Sequence, residues 1–185
     1  MGAVPPASSA RDRVLDAFEE LLNEQGERAA TLDAVARAAG VSKGGLLYHF
    51  PSKDALVDGL LQRLDERLAE DIERIRASDE GVVPYLIRTS FAVDTPFDRT
   101  ILAVSRIAQG NDERASAGLA RLHDSWTAVV AEAVGDPLVA RAIVLMSDGL
   151  YYNSALLPTG RESPGDVDEV LAIIDRLLAA PGAEH

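Results

Sequence analysis

The sequence predicts an all-α protein, and three observations carry that expectation. Apolar residues recur at helical spacings along most of the 185 residues. Thr95-Pro96, Asp136-Pro137 and Ser163-Pro164 each place a capping side chain directly before a proline suited to the first helical position. No stretch alternates with period two for long enough to make a sheet, and no segment repeats, so about nine helices are expected.

The elements follow in chain order. Met1 to Ala10 is rich in Ala, Pro and Ser and lacks the basic start and apolar core of a signal peptide, so residues 1–9 are expected to be a disordered tail. Val14, Leu15, Phe18, Leu21 and Leu22 form one helical face, and Gly26 closes a first helix of about Ala10 to Gln25. Thr31 can cap a second helix, with Asp33 in its first turn and Leu32, Val35, Ala36 and Ala39 on its inner face. Gly40 stops it. Ser42 opens a short third helix anchored by Leu46 and Phe50. Pro51 breaks the chain, and Ser52 can cap the next helix.

From Lys53 onward, Leu56, Leu60, Leu64, Leu68, Ile72 and Ile75 recur at spacings of four and three. This describes one long amphipathic helix to about Ala77. Later starts are marked by the three capped prolines, with Asn111 as a fourth candidate cap. Pro158 and Gly160 end the segment that begins near Pro137.

Composition narrows the function classes. Hydrophobic content of 47% is ample for a packed core. No apolar run reaches the roughly 18 residues that a bilayer span needs, so no membrane partner and a cytoplasmic location are expected. Cysteine is absent, which excludes disulfides, thiolate metal ligands and a cysteine nucleophile. The net charge of −12 argues against nucleic-acid binding by the chain as a whole. Its distribution argues the other way. Between Arg28 and Lys53 lie four cations (Arg28, Arg37, Lys43, Lys53) and one acid (Asp33), a net of +3 that leaves −15 elsewhere. An acidic remainder repels phosphates and confines any duplex to this window.

The second and third helices have the plan of a helix-turn-helix. In that motif the second helix enters the major groove, so its first turns need donors, or small residues that let the backbone approach. Ser42, Lys43, Gly44 and Gly45 suit this. Two adjacent glycines cost about 1 kcal/mol each relative to alanine, a poor choice for a purely structural helix. Tyr48 and His49 are ambiguous taken singly, since Tyr48 can simply cover Leu46 and Phe50.

The stretch TLDAVARAA (Thr31 to Ala39) followed by GVSKGGLLYHFPSKDAL (Gly40 to Leu56) resembles the DNA-binding unit of the TetR family of transcriptional regulators. The resemblance implies that Tyr48, His49 and Lys53 contact phosphates and that Thr31 donates to one from the start of the second helix. Such contacts position the protein, and base-edge contacts specify the sequence. Where the family pattern has a tyrosine, this chain has Leu47, which can touch a thymine methyl but cannot hydrogen-bond. Together with Gly45, it makes side-chain readout sparse.

The rest of the chain resembles the family only as a helical domain of suitable length. By that resemblance it dimerises and binds a small, often apolar effector. Val139, Ile143, Met146 and Leu150 on one helix, with Val167, Val170, Leu171, Ile174, Leu177 and Leu178 on the last, are candidates for a four-helix dimer interface. Candidate pocket walls are Phe91, Phe97, Trp126, Met146, Tyr151 and Tyr152, with Arg88, His123 and Asn153 as polar groups. Asp148, inside VLMSDGLYY, needs a partner among its apolar neighbours, and the sequence leaves open an arginine, an effector or exposure to solvent.

Catalysis has no visible basis. No metal-ligand spacing, nucleophile elbow or phosphate loop appears, so no catalytic residue, metal or cofactor is expected. His123-Asp124-Ser125 is contiguous, but neighbours on a helix point in different directions. The expected organisation is a helix-turn-helix domain over residues 10–52, a helical regulatory and dimerisation domain over 53–180, and a flexible tail over 181–185. The expected activity is that of a homodimeric, sequence-specific regulator, a repressor of a pseudo-palindromic operator released by an unknown small-molecule effector. The alternative is a helical ligand-binding or protein-interaction module that does not use its helix-turn-helix on DNA.

Overall fold

The computed structural model describes residues 9–91, 94–156 and 164–179. Among them lie nine helices and no strand: α1 (Ala10–Gln25), α2 (Leu32–Ala38), α3 (Lys43–His49), α4 (Lys53–Ala77), α5 (Val82–Thr89), α6 (Pro96–Ala108), α7 (Glu113–Val134), α8 (Pro137–Leu156) and α9 (Pro164–Ala179).

Local chemistry sets most boundaries. Ser9 closes a capping box on α1: its Oγ accepts from the Asp12 amide at 3.1 Å, and the Asp12 carboxylate takes the Ser9 amide at 3.3 Å. Thr31 caps α2 through the Ala34 amide (3.2 Å), Ser42 caps α3 through Gly45 (3.0 Å) and Ser52 caps α4 through Ala55 (3.1 Å). Gly40, at φ 64°, ends α2 in a Schellman arrangement. Its amide donates to the Arg37 carbonyl at 3.2 Å, and the Val41 amide donates to Ala36 at 3.0 Å. Asp136 caps α8 with 2.8 and 3.2 Å bonds from Leu138 and Val139.

One expectation is corrected. The cap of α7 is Asp112, not Asn111: the Asp112 carboxylate accepts from the Arg114 and Ala115 amides at 2.9 and 3.1 Å. Asn111 sits instead in the left-handed turn before it, at φ 67°, a conformation asparagine tolerates. Helix α5 has no side-chain cap. It starts after Gly81 at φ 92°, so the sequence carries no start signal for it. The tail residues 1–8, the 181–185 tail, Pro158, Gly160 and Ser163 lie outside the described residues.

The described residues form two compact units, one within Met1–Glu66 and Pro96–Leu119, the other within Arg67–Thr95 and Ala120–His185. The first holds α1, α2, α3 and α6 with parts of α4 and α7. Its interior includes Leu15, Phe18, Leu22, Leu46, Phe50, Leu56 and Leu60. Gly59 makes room for the Phe50 ring: a Cβ there would stand 2.6 Å from Phe50 Cε1 and 3.3 Å from Leu15. Arg63, with its side chain only 10% exposed, ties α4 to α1 through Asp16 (2.7 Å) and Glu19 (3.3 Å), and Asp12 lies at 3.7 Å. Glu19, equally dry at 6%, also accepts from Thr100 Oγ of α6 at 2.8 Å.

The second unit packs around Ile75, Val83, Leu86, Ile87, Val130, Ile143, Val144 and Ile174. Ser90, at the end of α5, and Ser147 of α8 share a buried 2.6 Å hydrogen bond. No helix among the described residues is long and apolar enough to cross a membrane.

Candidate nucleic-acid interface and regulatory site

Helices α2 and α3 are held from below and open above. Leu46 and Phe50 are buried at 0% and 3%, whereas Tyr48 on the same helix is 86% exposed. Tyr48 therefore does not cover the core that its neighbours fill. Its ring meets His49 edge to face, centroids 5.1 Å apart, and both present polar atoms at the end of α3. An exposed aromatic pair with a hydroxyl and an imidazole is costly to display and suited to a polar partner surface.

The remaining positions sort by environment. Thr31, Ser42, Lys43, Gly44 and His49 are exposed, Leu47 is 37% exposed, and Gly45 and Lys53 are half-buried. The hydroxyls of Thr31 and Ser42 accept the capping bonds, which leaves each O–H as a donor. The two glycines differ. A Cβ on Gly44 would meet nothing within 4 Å, while one on Gly45 would crowd its own cap, 3.2 Å from Ser42 Oγ. Gly45 thus has a reason inside the helix, and Gly44 has none within the protein.

Two lysines are already engaged. Lys43 Nζ lies 2.9 Å from Asp33 Oδ1. Lys53 Nζ donates to the Glu27 carbonyl at 2.9 Å and to its carboxylate at 3.2 Å. Glu27 lies one residue outside the basic window and escaped the sequence reading. The turn that returns it to Lys53 carries no local signal.

In the second unit the candidate pocket residues separate. Phe91, Trp126 and Met146 pack against the common core, and Tyr151 is half-buried. Tyr152 and Asn153 lie on the surface of α8. Arg88 is exposed and pairs with Glu80 at 3.0 Å and Asp168 at 3.7 Å. Phe97 belongs to the first unit. Trp126 donates from Nε1 to Asp71 at 3.0 Å, a partner that sequence reading missed. Asp148 pairs with His123, Oδ2 to Nδ1 at 3.3 Å. Burial raises the Asp148 carboxyl above the usual aspartate range, and the imidazole only partly opposes this. Ser125 donates to the Arg121 carbonyl at 2.8 Å, so the contiguous His123, Asp124 and Ser125 do not converge.

The expected dimer stripe needs correction. Ile143, Val167 and Ile174 are buried in the subunit's own core, and Val139, Met146, Leu150, Val170 and Leu171 pack against it. The subunit's other helices take up that stripe first. Among the described residues, the large apolar side chains left outside on these helices are Leu138 (80%), Leu145 (56%) and Tyr152 (52%) on α8, with Ile173, Leu177 and Leu178 on α9.

Residues 14–60, spanning α1 to the start of α4, match the family model described as bacterial regulatory proteins, tetR family. The chain carries a TetR-family DNA-binding unit over residues 14–60. It is a DNA-binding transcriptional regulator with an N-terminal helix-turn-helix. It is 29% identical to the HTH-type transcriptional regulator UidR of Escherichia coli K12 over 134 residues, 70% of this chain and 67% of UidR. It is 31% identical to the nucleoid occlusion factor SlmA of Haemophilus ducreyi over 110 residues, 57% of this chain and 54% of SlmA. Among solved structures, the SmeT–triclosan complex superposes with a TM-score of 0.71 at 19% identity, covering 95% of this chain and 97% of SmeT. The likeness is one of fold and extends over both compact units.

Proposed function

We propose that this protein is a homodimeric repressor that reads a pseudo-palindromic operator through α3 and is released by a small-molecule effector bound in the second unit. The observation that carries the DNA-reading part is the exposure of Tyr48 and His49 beside Lys43 and Gly44, on a helix anchored to the core by buried Leu46 and by Phe50 at its end. In this reading Thr31, Ser42, Tyr48, His49 and Lys53 contact phosphates. Lys43 and Leu47 face base edges, and Gly44 lets the backbone approach.

Dimerisation uses the apolar residues that the subunit leaves uncovered. Leu138, Leu145 and Tyr152 recur every seven residues along α8, which aligns them on one seam, and Ile173 and Leu177 are a turn apart on α9. Two-fold symmetry of the protein is mirrored in the half-sites of the duplex. For the effector, half-buried Trp126, Met146 and Phe91 supply apolar contact, and the His123–Asp148 and Trp126–Asp71 pairs supply polar groups. The unbroken α4, from Lys53 to Ala77, is the element whose displacement alters the spacing of the two recognition helices.

Selection of bound fragments from genomic DNA, followed by titration over a range of salt, tests the reading. A shared inverted repeat and a steep loss of affinity with salt are expected. Fragments without a common sequence, or an affinity indifferent to salt, refute it. Once a ligand is found by thermal stabilisation, saturating operator must weaken its binding by the same factor by which it weakens operator binding.

A further inference from the structure

We infer that Asp33 and Glu27 are specificity-determining residues of the DNA interface, each holding one interface lysine in an ion pair that arbitrary DNA exchanges poorly and the operator exchanges well. The inference rests on the proposal that Lys43 and Lys53 face the duplex, and it adds acids to a surface so far described by its donors.

The geometry is repeated at two places. Lys43 and Lys53 are the first residues of α3 and α4, and each ammonium meets a carboxylate from earlier in the chain, Asp33 of α2 at 2.9 Å and Glu27 of the turn between α1 and α2 at 3.2 Å. Neither pair is structural in the way that the dry Arg63 pairs are. Side-chain exposures are 59% and 63% for Lys43 and Asp33, and 38% and 39% for Lys53 and Glu27. Exposed pairs contribute little to stability, so their presence calls for another reason. They engage both lysines of this surface, two of the four cations between Arg28 and Lys53 that a phosphate backbone would meet.

An approaching phosphate competes with the carboxylate for the same ammonium. Exchange leaves the carboxylate close to a polyanion, which is unfavourable wherever no other contact offsets it. On the operator, base-edge contacts along α3 offset that repulsion. On arbitrary sequence nothing does, and the acids hold the affinity down. Specificity gained by penalising the wrong partner is a general device of recognition surfaces. The two positions are unequal. Lys53 is also anchored by the Glu27 carbonyl, which no side-chain substitution removes, so Asp33 has the larger effect.

The test needs no knowledge of the operator. The full-length protein, Asp33→Asn, Glu27→Gln, Lys43→Ala and the pair Asp33→Asn with Lys43→Ala are titrated against a fluorescent duplex of mixed sequence at several salt concentrations. Circular dichroism checks that each is folded. Releasing one lysine per subunit should steepen the slope of log K against log salt by up to about 1.8 per dimer, and at about 0.1 M salt it should tighten binding by up to about eightfold per lysine. Glu27→Gln should show the same change to a smaller degree. In the Lys43→Ala background the Asp33→Asn gain should vanish, because the acid acts through that lysine.

Equal or weaker binding by Asp33→Asn, while the unaltered protein binds with normal salt dependence, overturns the inference and leaves the DNA-contact reading standing. A gain that persists in the Lys43→Ala background also overturns it, by reducing Asp33 to a long-range charge. If no folded form binds duplex even at low salt, the placement of these lysines against DNA falls, and the inference falls with it.

Discussion

Substituting Arg63 by methionine is expected to destabilise the first unit severely while barely changing its shape. Methionine preserves most of the apolar stem and removes the guanidinium. Asp12 and Asp16, with side chains 49% and 58% exposed, regain water and lose little. Glu19, 6% exposed, keeps the Thr100 hydroxyl but loses the guanidinium 3.3 Å away, so a buried carboxylate gives up a charged partner. Removing one partner of a buried pair costs about 3–5 kcal/mol. Because two of the three carboxylates are wet, the lower figure applies here, about 3 kcal/mol. At roughly 2–4 °C per kcal/mol for a chain of this size, the melting temperature should fall by about 6–12 °C. Thermal and urea melts followed by circular dichroism measure it. Combining Arg63→Met with Glu19→Leu should recover most of the loss, since an apolar replacement of a buried pair is often close to neutral. A single substitution costing under about 1 kcal/mol, or a double substitution that is merely additive, would refute the account of this network.

Other substitutions separate the remaining claims. Gly44→Glu should abolish duplex binding in fluorescence titration with no loss of helical signal, because its Cβ enters open space, whereas Gly45→Glu should also perturb the α3 cap. Loss of fold in Gly44→Glu would make that glycine structural. Asp112→Ala removes the α7 cap and the partner of Arg114, costing about 1 kcal/mol in urea melts at neutral pH. The bond from Arg114 lowers the Asp112 carboxyl below 3.8, so the loss should be full above that pH and shrink as pH falls through the lowered value. Asp148 has the opposite sign: burial raises its carboxyl, so its charge disfavours folding as pH climbs above 3.8. Asp148→Asn should therefore melt higher than the unaltered protein near neutral pH and alike in strong acid, and a reversed order would mean that the His123 pair outweighs burial. Leu145→Glu should shift sedimentation to a monomer if the α8 seam is the interface.

What could be read from the chain is what neighbours in sequence decide. Ser42, Gly40 and Ser52 mark helix ends because their effects reach only three or four residues, and those boundaries stand where the pattern puts them. The slip from Asp112 to Asn111 is of the same local kind, since both residues suit a turn and only backbone geometry chooses between them. Helix α5 was illegible because a glycine without a capping side chain begins it. The engagement of Lys53 by Glu27, of Trp126 by Asp71 and of Glu19 by Thr100 depends on chain reversals that no spacing encodes. The α8 stripe was legible as apolar, but whether its own subunit covers it depends on the other helices packed there.

The partnership of α1 with α6 bears on how such proteins can be recombined. Asn23 donates to the Arg99 carbonyl at 2.9 Å, and Thr100, fully buried, donates to Glu19, so the helix that braces the DNA-reading head also fits a particular helix encoded well downstream. A chimera made by transplanting residues 10–52 onto another regulator would set Glu19 and Asn23 against an unfamiliar surface. The transferable module is discontinuous in sequence, and a change of head among relatives should carry matching changes around Arg99 and Thr100.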